Sequence, residues 1–357
     1  MKALFSPREV ERELQMLQRE LSPAEARAAL FNLVIFSHEG LSNPSEEALA
    51  HLLGKRAARI IQIRNCRDSE STMSVTARCF PDSENRGVCF QEINIQNGRD
   101  NAGSAPGTWT PLLLRDIPVY FLWYDRLDGN REYIRLVRDQ ADKFIVDSRW
   151  NEKNGERAES VSAVLADELL AERQLVSDLA WKRGLPLRRI TASLFDNGAG
   201  VENLYAISAV EIQAECENEA HLYGLWLSSR LDWHWLGRTN DPTERGHSVW
   251  HALDRTEAPI DVRFDVCEGE AEQSDRNTSV RFVLREGDPI TVTGTPGGCA
   301  DTIVPGREDE RQLFLNPRVG ELLLDEVDSM RTDRLYIDAL TQYSRRHDAT
   351  GPGGQVS

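Results

Sequence analysis

The segment from Thr110 to Trp150 constrains the fold most, because it predicts two buried strands separated by a helix. The apolar run Ile117–Trp123 is typical of a strand buried on both faces, and Pro118 lies near its start, where a missing N–H is tolerated. Apolar residues then recur at helical spacing between residues 130 and 142, and Phe144–Val146 predicts the second strand. A strand–helix–strand unit favours a parallel sheet.

Three helix starts in the first half share one sequence signature. Ser6–Glu9, Ser22–Glu25 and Asn43–Glu46 each place a capping side chain before a proline and a glutamate. The capping oxygen accepts an otherwise unpaired N–H, and proline occupies a position where no donor is needed. The strands predicted around these helices are Leu33–Phe36, Ile60–Ile63, Met73–Phe80 and Val88–Ile95.

The polar segment Asn151–Glu159 predicts a domain boundary, and a helical stretch follows it. We therefore predict an α/β fold with two mixed-sheet domains joined by a helical segment: residues 1–155, residues 156–345, and a disordered tail over 346–357. The second half repeats the element order of the first, which suggests a similar topology. Its predicted elements are strands Leu204–Ala214, Ile260–Cys267, Val280–Arg285 and Ile290–Thr295, and helices Ala220–Leu231 and from Pro317, capped by Asn316.

Composition narrows the class of protein. The formal net charge of -16 argues against a nucleic-acid partner, because such binding depends on neutralising phosphates with Lys and Arg. Apolar runs are too short to cross a bilayer, so we expect a cytoplasmic protein with no membrane partner. The cysteines form no C-x-x-C pair, and we expect buried reduced thiols.

Two motifs resemble ligand sites only superficially. The glycine-rich run Thr293–Cys299 lacks phosphate-loop spacing and no helix follows it, so it predicts a turn. His247 and His251 are four residues apart, with Asp254 and His234 nearby, but there is no H-E-x-x-H motif and a polar surface turn is favoured. We accordingly predict no catalytic residue, no cofactor and no metal.

Two residue groups are candidates for a partner interface. A cationic cluster around Pro186 departs from the acidic sign of the chain and can receive a carboxylate patch or a phosphate, or be a solvated face. Two tryptophans flank His234; their alternation around it favours different environments for the two rings, and an interface role for at least one of them is a hypothesis. The candidate interface residues are Lys182, Arg183, Arg188, Arg189, Trp233 and Trp235.

Several segments resemble, in the same order, those of the glucose-6-phosphate dehydrogenase assembly protein (OpcA) family. They are FNLVIFSH (31–38), RAARIIQI (56–63), PLLLRDIPVYFLWY (111–124), ADKFIVDS (141–148), SDLAWKRGLPLRRITASLFDN (177–197), HLYGLWLSSRLDW (221–233) and VGELLLDEVDSMRTDRLYIDAL (319–340). The resemblance implies a non-catalytic assembly factor or allosteric activator. Such a protein binds glucose-6-phosphate dehydrogenase and supports its oligomerisation or activity in the oxidative pentose phosphate pathway. The resemblance also leaves a thiol switch open for Cys66, Cys79 and Cys89, which lie on neighbouring predicted strands, although buried thiols are favoured.

The alternative is an α/β enzyme that acts on a sugar phosphate or a nucleotide. Its site would lie at the carboxyl ends of parallel strands, near Asp147 and Ser148 or near Asp125, where open α/β sheets bind ligands. The same residues can equally be strand-end caps. A deep pocket with converging basic groups favours the enzyme, and an exposed patch with Trp or Arg favours the partner protein.

Overall fold

The computed structural model describes residues 6–21, 28–41, 43–66, 70–81, 87–99, 103–170, 174–196, 198–240, 247–266, 278–295 and 297–349. The predicted helix start Ser22–Glu25, Cys267 and residues 350–357 lie outside this part of the chain. The chain forms two compact units. Unit 1 comprises Met1–Glu156, Asp167–Leu179 and Arg318–Thr332, and unit 2 comprises the rest. Two later segments thus return to unit 1, whereas a single boundary near residue 155 was expected.

The elements are numbered along the chain. The helices are α1 Pro7–Leu21, α2 Ser45–Ala50, α3 Pro106–Trp109, α4 Arg131–Val137, α5 Ser148–Lys153, α6 Ala158–Val164, α7 Leu179–Arg183, α8 Leu185–Leu194, α9 Gly198–Tyr205, α10 Glu217–Leu231, α11 Val319–Val327 and α12 Arg334–Ala349. The strands are β1 Phe31–His38, β2 Ala58–Asn65, β3 Thr72–Pro81, β4 Gly87–Asn97, β5 Val119–Tyr124, β6 Lys143–Val146, β7 Leu175–Asp178, β8 Ile207–Ala214, β9 His234–Asn240, β10 His247–Leu253, β11 Pro259–Val266, β12 Thr278–Leu284, β13 Ile290–Thr295, β14 Cys299–Ile303 and β15 Glu310–Leu313. Residues 165–170 form a π-helical turn after α6.

Unit 1 contains a mixed sheet with strand order β3-β4-β2-β1-β5-β6-β7. All neighbours are parallel except β3 and β4. Counted along the chain, the six parallel strands lie in the order 3-2-1-4-5-6, because the chain builds β2 and β4 on one side of β1 and then β5, β6 and β7 on the other. The central strand β1 is buried along nearly its whole length. The α/β class with mixed sheets is confirmed.

The local signals of the first half are largely confirmed. Strands β5 and β6 are parallel neighbours, and Ile134 and Val137 of the intervening α4 are buried. At the start of α1 the Ser6 N–H donates to Glu9 Oε2 at 2.8 Å, while the Glu9 N–H donates to Ser6 Oγ at 3.4 Å. Helix α2 begins at Ser45, one residue later than expected, and its first N–H donates to Asn43 Oδ1.

Unit 2 contains an eight-stranded sheet with order β15-β14-β13-β12-β8-β11-β10-β9. Only β8 and β11 are parallel neighbours among its described strands. This order differs from that of unit 1, so the similar topology suggested by element order is not present. The predicted strand from Leu204 begins at Ile207, because α9 extends to Tyr205. The helix predicted from Pro317 corresponds to α11, which begins at Val319. A further helix, α12, continues to Ala349, so residues 346–349 are helical although the sequence predicts a disordered tail there.

A buried ion pair holds α11 to the sheet of unit 1. Lys143 on β6 pairs with the carboxylate of Glu326, and its Nζ donates to the carbonyl oxygens of Glu326 at 3.0 Å and Ser329 at 2.9 Å. The Tyr120 hydroxyl donates to the Val327 carbonyl oxygen at 3.0 Å. The lysine thus satisfies carbonyl groups at the end of a helix, where intrahelical donors are missing. No helix in the described part of the chain is long and apolar enough to cross a bilayer.

The expectation of reduced thiols is wrong for one pair. Cys79 on β3 and Cys89 on β4 are directly opposite each other and are joined by a disulfide bond. Directly paired residues on antiparallel strands bring their Cβ atoms close together, which sequence spacing does not reveal. Cys66 and Cys216 are in no disulfide bond and are buried, as expected, and Cys299 is in no disulfide bond and is partly buried.

Candidate functional site

A cleft of about 810 Å³ lies in unit 1 at the carboxyl ends of its parallel strands. His38 at the end of β1, Asn65 at the end of β2, Asn97 at the end of β4 and Asp125 just after β5 all line it. This is the place where the strand order reverses, between β1 and β5. Open α/β sheets bind ligands at such a switch point, because the loops on either side of it diverge.

Three of these side chains form a hydrogen-bonded row along the floor of the cleft. Asn97 Nδ2 donates to Asn65 Oδ1 at 2.7 Å, and Asn65 Nδ2 donates to Asp125 Oδ2 at 2.7 Å. The ends of the row are held by backbone groups, since the N–H of Ser104 donates to Asn97 Oδ1 and the N–H of Arg126 donates to Asp125 Oδ1. Both amides are thereby fixed in orientation. Each has a second N–H that this row does not use.

The carboxylate of Asp125 is in an unusual environment for an acid. Its residue is only 3% exposed, and burial raises the pKa of Asp125, although the N–H groups of Arg126 and Asn65 offset part of the rise. Electrostatic interactions with His38 and Arg126 make only smaller contributions, which lower the pKa of Asp125. Burial opposes ionisation because a charged group loses its hydration. Perturbed acids of this kind cluster at functional sites.

One wall of the cleft is the turn that follows β1. It consists of His38, Glu39, Gly40 and Leu41, and Gly40 has a left-handed backbone with φ of 85°. This turn leads to α2, which has only six residues. The wall therefore lacks a glycine-rich phosphate loop and presents the carboxylate of Glu39 instead.

The opposite side combines an aromatic ring with cations. The hydroxyl of Tyr133 donates to the Ser104 carbonyl oxygen at 2.6 Å, and burial raises the pKa of this tyrosine. Arg99 and Arg126 are exposed lining residues. The lining thus combines the guanidinium groups of Arg99 and Arg126 with the carboxyl groups of Glu39 and Asp125.

A thiol also reaches the cleft. Cys66 follows β2 and is buried, and burial raises the pKa of its thiol, with a further rise caused by the charge of Glu39. A raised pKa keeps the sulfur protonated and weakly nucleophilic. Cys66 is therefore a poor candidate for covalent chemistry.

The two other strand-end residues considered for an enzyme site do not line the cleft. Asp147 and Ser148 follow β6 and are buried, and the Ser148 N–H donates to Asp178 Oδ1 at 3.1 Å. Of the three residues named for that alternative, Asp125 alone belongs to the cleft lining. Sequence reasoning missed His38, Asn65 and Asn97. Each is the last residue of its strand, so the rule that strand ends bind ligands pointed to them.

The four cations of the predicted cluster in unit 2 lie in different environments. The Arg188 side chain is buried, with its guanidinium carbon 3.5 Å from the centre of the Trp181 ring, and Nη2 donates to the Trp181 carbonyl oxygen at 2.8 Å. Lys182 lies 3.4 Å from Asp333, and Arg183 lies 3.8 Å from Glu219. Arg189 is exposed on α8. Three of the four cations thus contact other groups of the same unit.

The pKa of Asp333 shows the effect of the nearby Lys182. Burial opposes its ionisation, but the hydrogen bond from Trp181 Nε1 at 3.0 Å and the charge of Lys182 outweigh burial and lower the pKa of Asp333. Fixed donors therefore hold this carboxylate in its charged form. The arrangement stabilises the packing of unit 2.

The two candidate tryptophans lie on the same side of the chain. Trp233 is 4% and Trp235 is 7% exposed, whereas His234 and Leu236 are exposed. The expectation of different environments is wrong, because residues two apart in an extended chain project to the same face. The Trp235 ring packs edge-on against Trp250, at 6.1 Å between centroids. Whether any of the candidate interface residues contacts a partner remains a prediction.

The two superficial ligand motifs have other roles. His251 lies on β10 and not in a turn or helix; its Nδ1 is 2.9 Å from Asp261 and its Nε2 is 2.7 Å from Thr239. Within the described residues no group of three or more His, Cys, Asp or Glu side chains can hold a metal ion. The glycine-rich run connects β13 to β14, and its described residues Gly297 and Gly298 form the predicted turn.

Comparison with known proteins identifies the family. A model of the glucose-6-phosphate dehydrogenase subunit N-terminal domain matches residues 49–163, and one of the C-terminal domain matches residues 174–340. Together the matches cover more than half of the chain. The chain belongs to the OpcA family of glucose-6-phosphate dehydrogenase assembly proteins. The match of the N-terminal OpcA model includes all three side chains of the hydrogen-bonded row, Asn65, Asn97 and Asp125.

An OpcA relative has been named in a cyanobacterium. A Nostoc punctiforme protein with the provisional name OxPP cycle protein OpcA is 26% identical over 149 residues, which are 41% of this chain and 31% of that protein. The chain thus aligns with about a third of the length of this relative.

Solved structures of oxidoreductases resemble the chain at low identity. The 3-ketoreductase KijD10 from Actinomadura kijaniata, in complex with NADP and TDP-benzene, is 11% identical with a TM-score of 0.49, covering 91% of this chain and 98% of that chain. An inositol dehydrogenase homologue from Azotobacter vinelandii, complexed with NAD+, is 9% identical with a TM-score of 0.48, covering 93% and 98%.

Proposed function

We propose that this chain is a non-catalytic partner of glucose-6-phosphate dehydrogenase, which it binds in the cytoplasm to support assembly or activity of the enzyme. The observation that carries this proposal is the pair of OpcA-family matches, which extend over most of the described chain and are both named for a dehydrogenase subunit. The residue pattern adds no catalytic signature to that assignment.

An activator of this kind works by selective binding. It must bind the active arrangement of the dehydrogenase more tightly than the inactive one, because a ligand shifts an equilibrium only by its difference in affinity. The coupling is reciprocal, so substrate should tighten the complex.

Exposed groups on two successive helices of unit 2 are available for docking. Arg189 is exposed on α8, and Tyr205 and Val201 are exposed on α9, which begins four residues after α8 ends. Arginine and tyrosine are enriched at the energetic centres of interfaces. We therefore place the docking surface on these helices, with Lys182 at 29% side-chain exposure as a secondary contact. Arg188, the neighbour of Arg189 on α8, is buried and holds this helix through its contacts with Trp181.

Complex formation is the experiment that tests this proposal. The 40.3 kDa chain and its cognate dehydrogenase are mixed and analysed by size-exclusion chromatography with light scattering. We expect a complex of defined mass that weakens at least about tenfold with Arg189→Ala, because a hot-spot arginine contributes about 1.4 kcal/mol or more. Arg230→Ala, at an exposed position in the last turn of α10, is the matched control and should leave affinity unchanged. Separate elution of the two proteins at all concentrations would contradict the proposal.

The cleft at Asp125 favours a second candidate, an enzyme that acts on a sugar phosphate or nucleotide. A buried acid with a raised pKa and a nearby histidine are groups suited to proton transfer. Turnover of such a compound by the purified chain, lost with Asp125→Asn, would establish the enzyme. Absence of turnover, together with complex formation, would leave the partner role.

A further inference from the structure

The strand-end cleft has the position of a ligand site but a lining unlike that of a nucleotide cofactor site. We propose that it binds a sugar or a sugar monophosphate through the ring hydroxyls. This inference goes beyond the proposed partner role, because it concerns binding by the chain alone and requires neither the dehydrogenase nor turnover of the ligand.

The floor of the cleft suits neighbouring hydroxyl groups. A hydroxyl donates one hydrogen bond and accepts others, so it needs donors and acceptors side by side. The row Asn97–Asn65–Asp125 supplies them in alternation, with a free second N–H on each amide and further lone pairs on the carboxylate. Asn97 and Asp125 are nine-tenths buried or more, whereas Asn65 is half-buried and accessible.

The row is also rigid before any ligand arrives. Its members are fixed to one another and to the N–H groups of Ser104 and Arg126. A site whose polar groups are already oriented loses less entropy on binding. The floor thus favours one stereochemical arrangement of hydroxyls.

A dinucleotide does not fit this lining. Pyrophosphate is normally held by a glycine-rich turn at the amino end of a helix, where backbone N–H groups converge. Here the turn after β1 has a single glycine, Gly40, and its neighbour Glu39 adds a negative charge. An adenine ring also needs an apolar slot, and Leu41 and Tyr133 are the main apolar groups of the lining.

The charge of the cleft limits the ligand to about one phosphate. Arg99 and Arg126 at the rim can neutralise a phosphate group, but Glu39 and Asp125 oppose additional negative charge. A free sugar and a sugar monophosphate share the ring hydroxyls, so the two ligand classes are distinguished by comparing the binding of a sugar with and without its phosphate.

Calorimetric titration of the purified chain tests the inference. The probes are glucose 6-phosphate, glucose, inorganic phosphate and NADP+. We expect at least one of the two sugars to bind saturably with Kd of about 1 mM or tighter, and inorganic phosphate and NADP+ to bind more weakly than that sugar. The inference is overturned by the absence of saturable binding for both sugars, or by tighter binding of phosphate or NADP+.

Variants locate the site. Asn65→Ala removes the accessible amide and should weaken sugar binding at least about tenfold, the loss expected for one or two hydrogen bonds. His38→Ala, on the neighbouring wall, is a second variant in case the first is unfolded, and circular dichroism reports the fold of both. Gln140→Ala, at an exposed position before the amino end of β6, should bind like the wild type. Unchanged sugar binding in the folded cleft variants would place the ligand elsewhere and overturn the inference.

Discussion

Asp125 in unit 1 is buried and Asp333 in unit 2 is partly buried, and their pKa values shift in opposite directions. Burial raises the pKa of Asp125, which is held by an amide and a backbone N–H. Burial also opposes ionisation of Asp333, but Trp181 and Lys182 lower its pKa below the ordinary value. The difference teaches that unit 2 uses its charges to stabilise its own packing, while the cleft of unit 1 keeps a carboxylate that is costly to ionise.

The largest expected change in the free energy of unfolding tests whether a buried ion pair stabilises unit 1, as the paired charges stabilise unit 2. Lys143→Met leaves the buried carboxylate of Glu326 without its cation, and we expect a loss of about 3–5 kcal/mol in the free energy of unfolding. Urea unfolding measures the loss, and Lys55→Met at an exposed position is the control. The double variant Lys143→Met with Glu326→Met should recover most of the stability. A single variant as stable as the control would show that the pair is dispensable.

The next effect concerns the cationic cluster of unit 2. Arg188→Ala removes a guanidinium that stacks on Trp181 and donates to its carbonyl oxygen, and we expect a loss of about 2–3 kcal/mol in the free energy of unfolding. Arg189→Ala, at the adjacent exposed position, should change stability by less than about 0.5 kcal/mol. Equal losses from the two variants in urea unfolding would remove the distinction between internal and accessible cations.

Asp333→Asn should lower the free energy of unfolding by a smaller amount, about 1–2 kcal/mol at pH 7. The charged carboxylate accepts the Trp181 hydrogen bond and attracts Lys182, and the amide loses the second interaction. Since the folded pKa lies below the unfolded one, the carboxylate stabilises the protein above the unfolded pKa, and this contribution disappears as pH falls through the folded pKa. The cost of the substitution should therefore shrink at acidic pH. A cost that grows on acidification, measured by urea unfolding at several pH values, would reverse the assignment.

Asp125→Asn should show the opposite pH dependence with the smallest amplitude. The folded pKa is raised, so ionisation destabilises the native state as pH rises from the unfolded pKa through the folded one. The variant should gain stability relative to the wild type as pH rises from the unfolded pKa of an aspartate, about 4, towards the raised folded pKa. The free energy of unfolding of both proteins is measured as a function of pH. Parallel pH curves for the variant and the wild type would show that ionisation of Asp125 does not destabilise the native state.

The fold class could be predicted from the sequence where local signals agree with tertiary structure. The strand–helix–strand pattern of 117–146 and the capping box at Ser6–Glu9 each appear close to their predicted positions. Both depend on periodicity and on contacts between near neighbours, which the sequence records directly. The strands β7, β9, β10, β14 and β15 are not among the predicted strands, because they are short or polar and are stabilised by pairing with other strands.

The candidate sites could be predicted only in part. Asp125 was named because it follows a predicted strand, but its row with Asn65 and Asn97 depends on strand order, which brings together residues 28 to 60 positions apart. Arg188 looked like a surface cation, and its burial depends on the ring of Trp181 seven residues earlier. The return of residues 318–332 to unit 1 likewise depends on contacts such as Lys143 with Glu326 that local patterns do not reveal.

The most direct test of the proposed partner role is the rate of the cognate glucose-6-phosphate dehydrogenase at subsaturating glucose 6-phosphate, titrated with this chain. The account predicts a saturable rise in rate that is reduced by Arg189→Ala and unaffected by Arg230→Ala. A rate that stays constant across the titration, under conditions where the dehydrogenase itself is active and no complex forms, would contradict it.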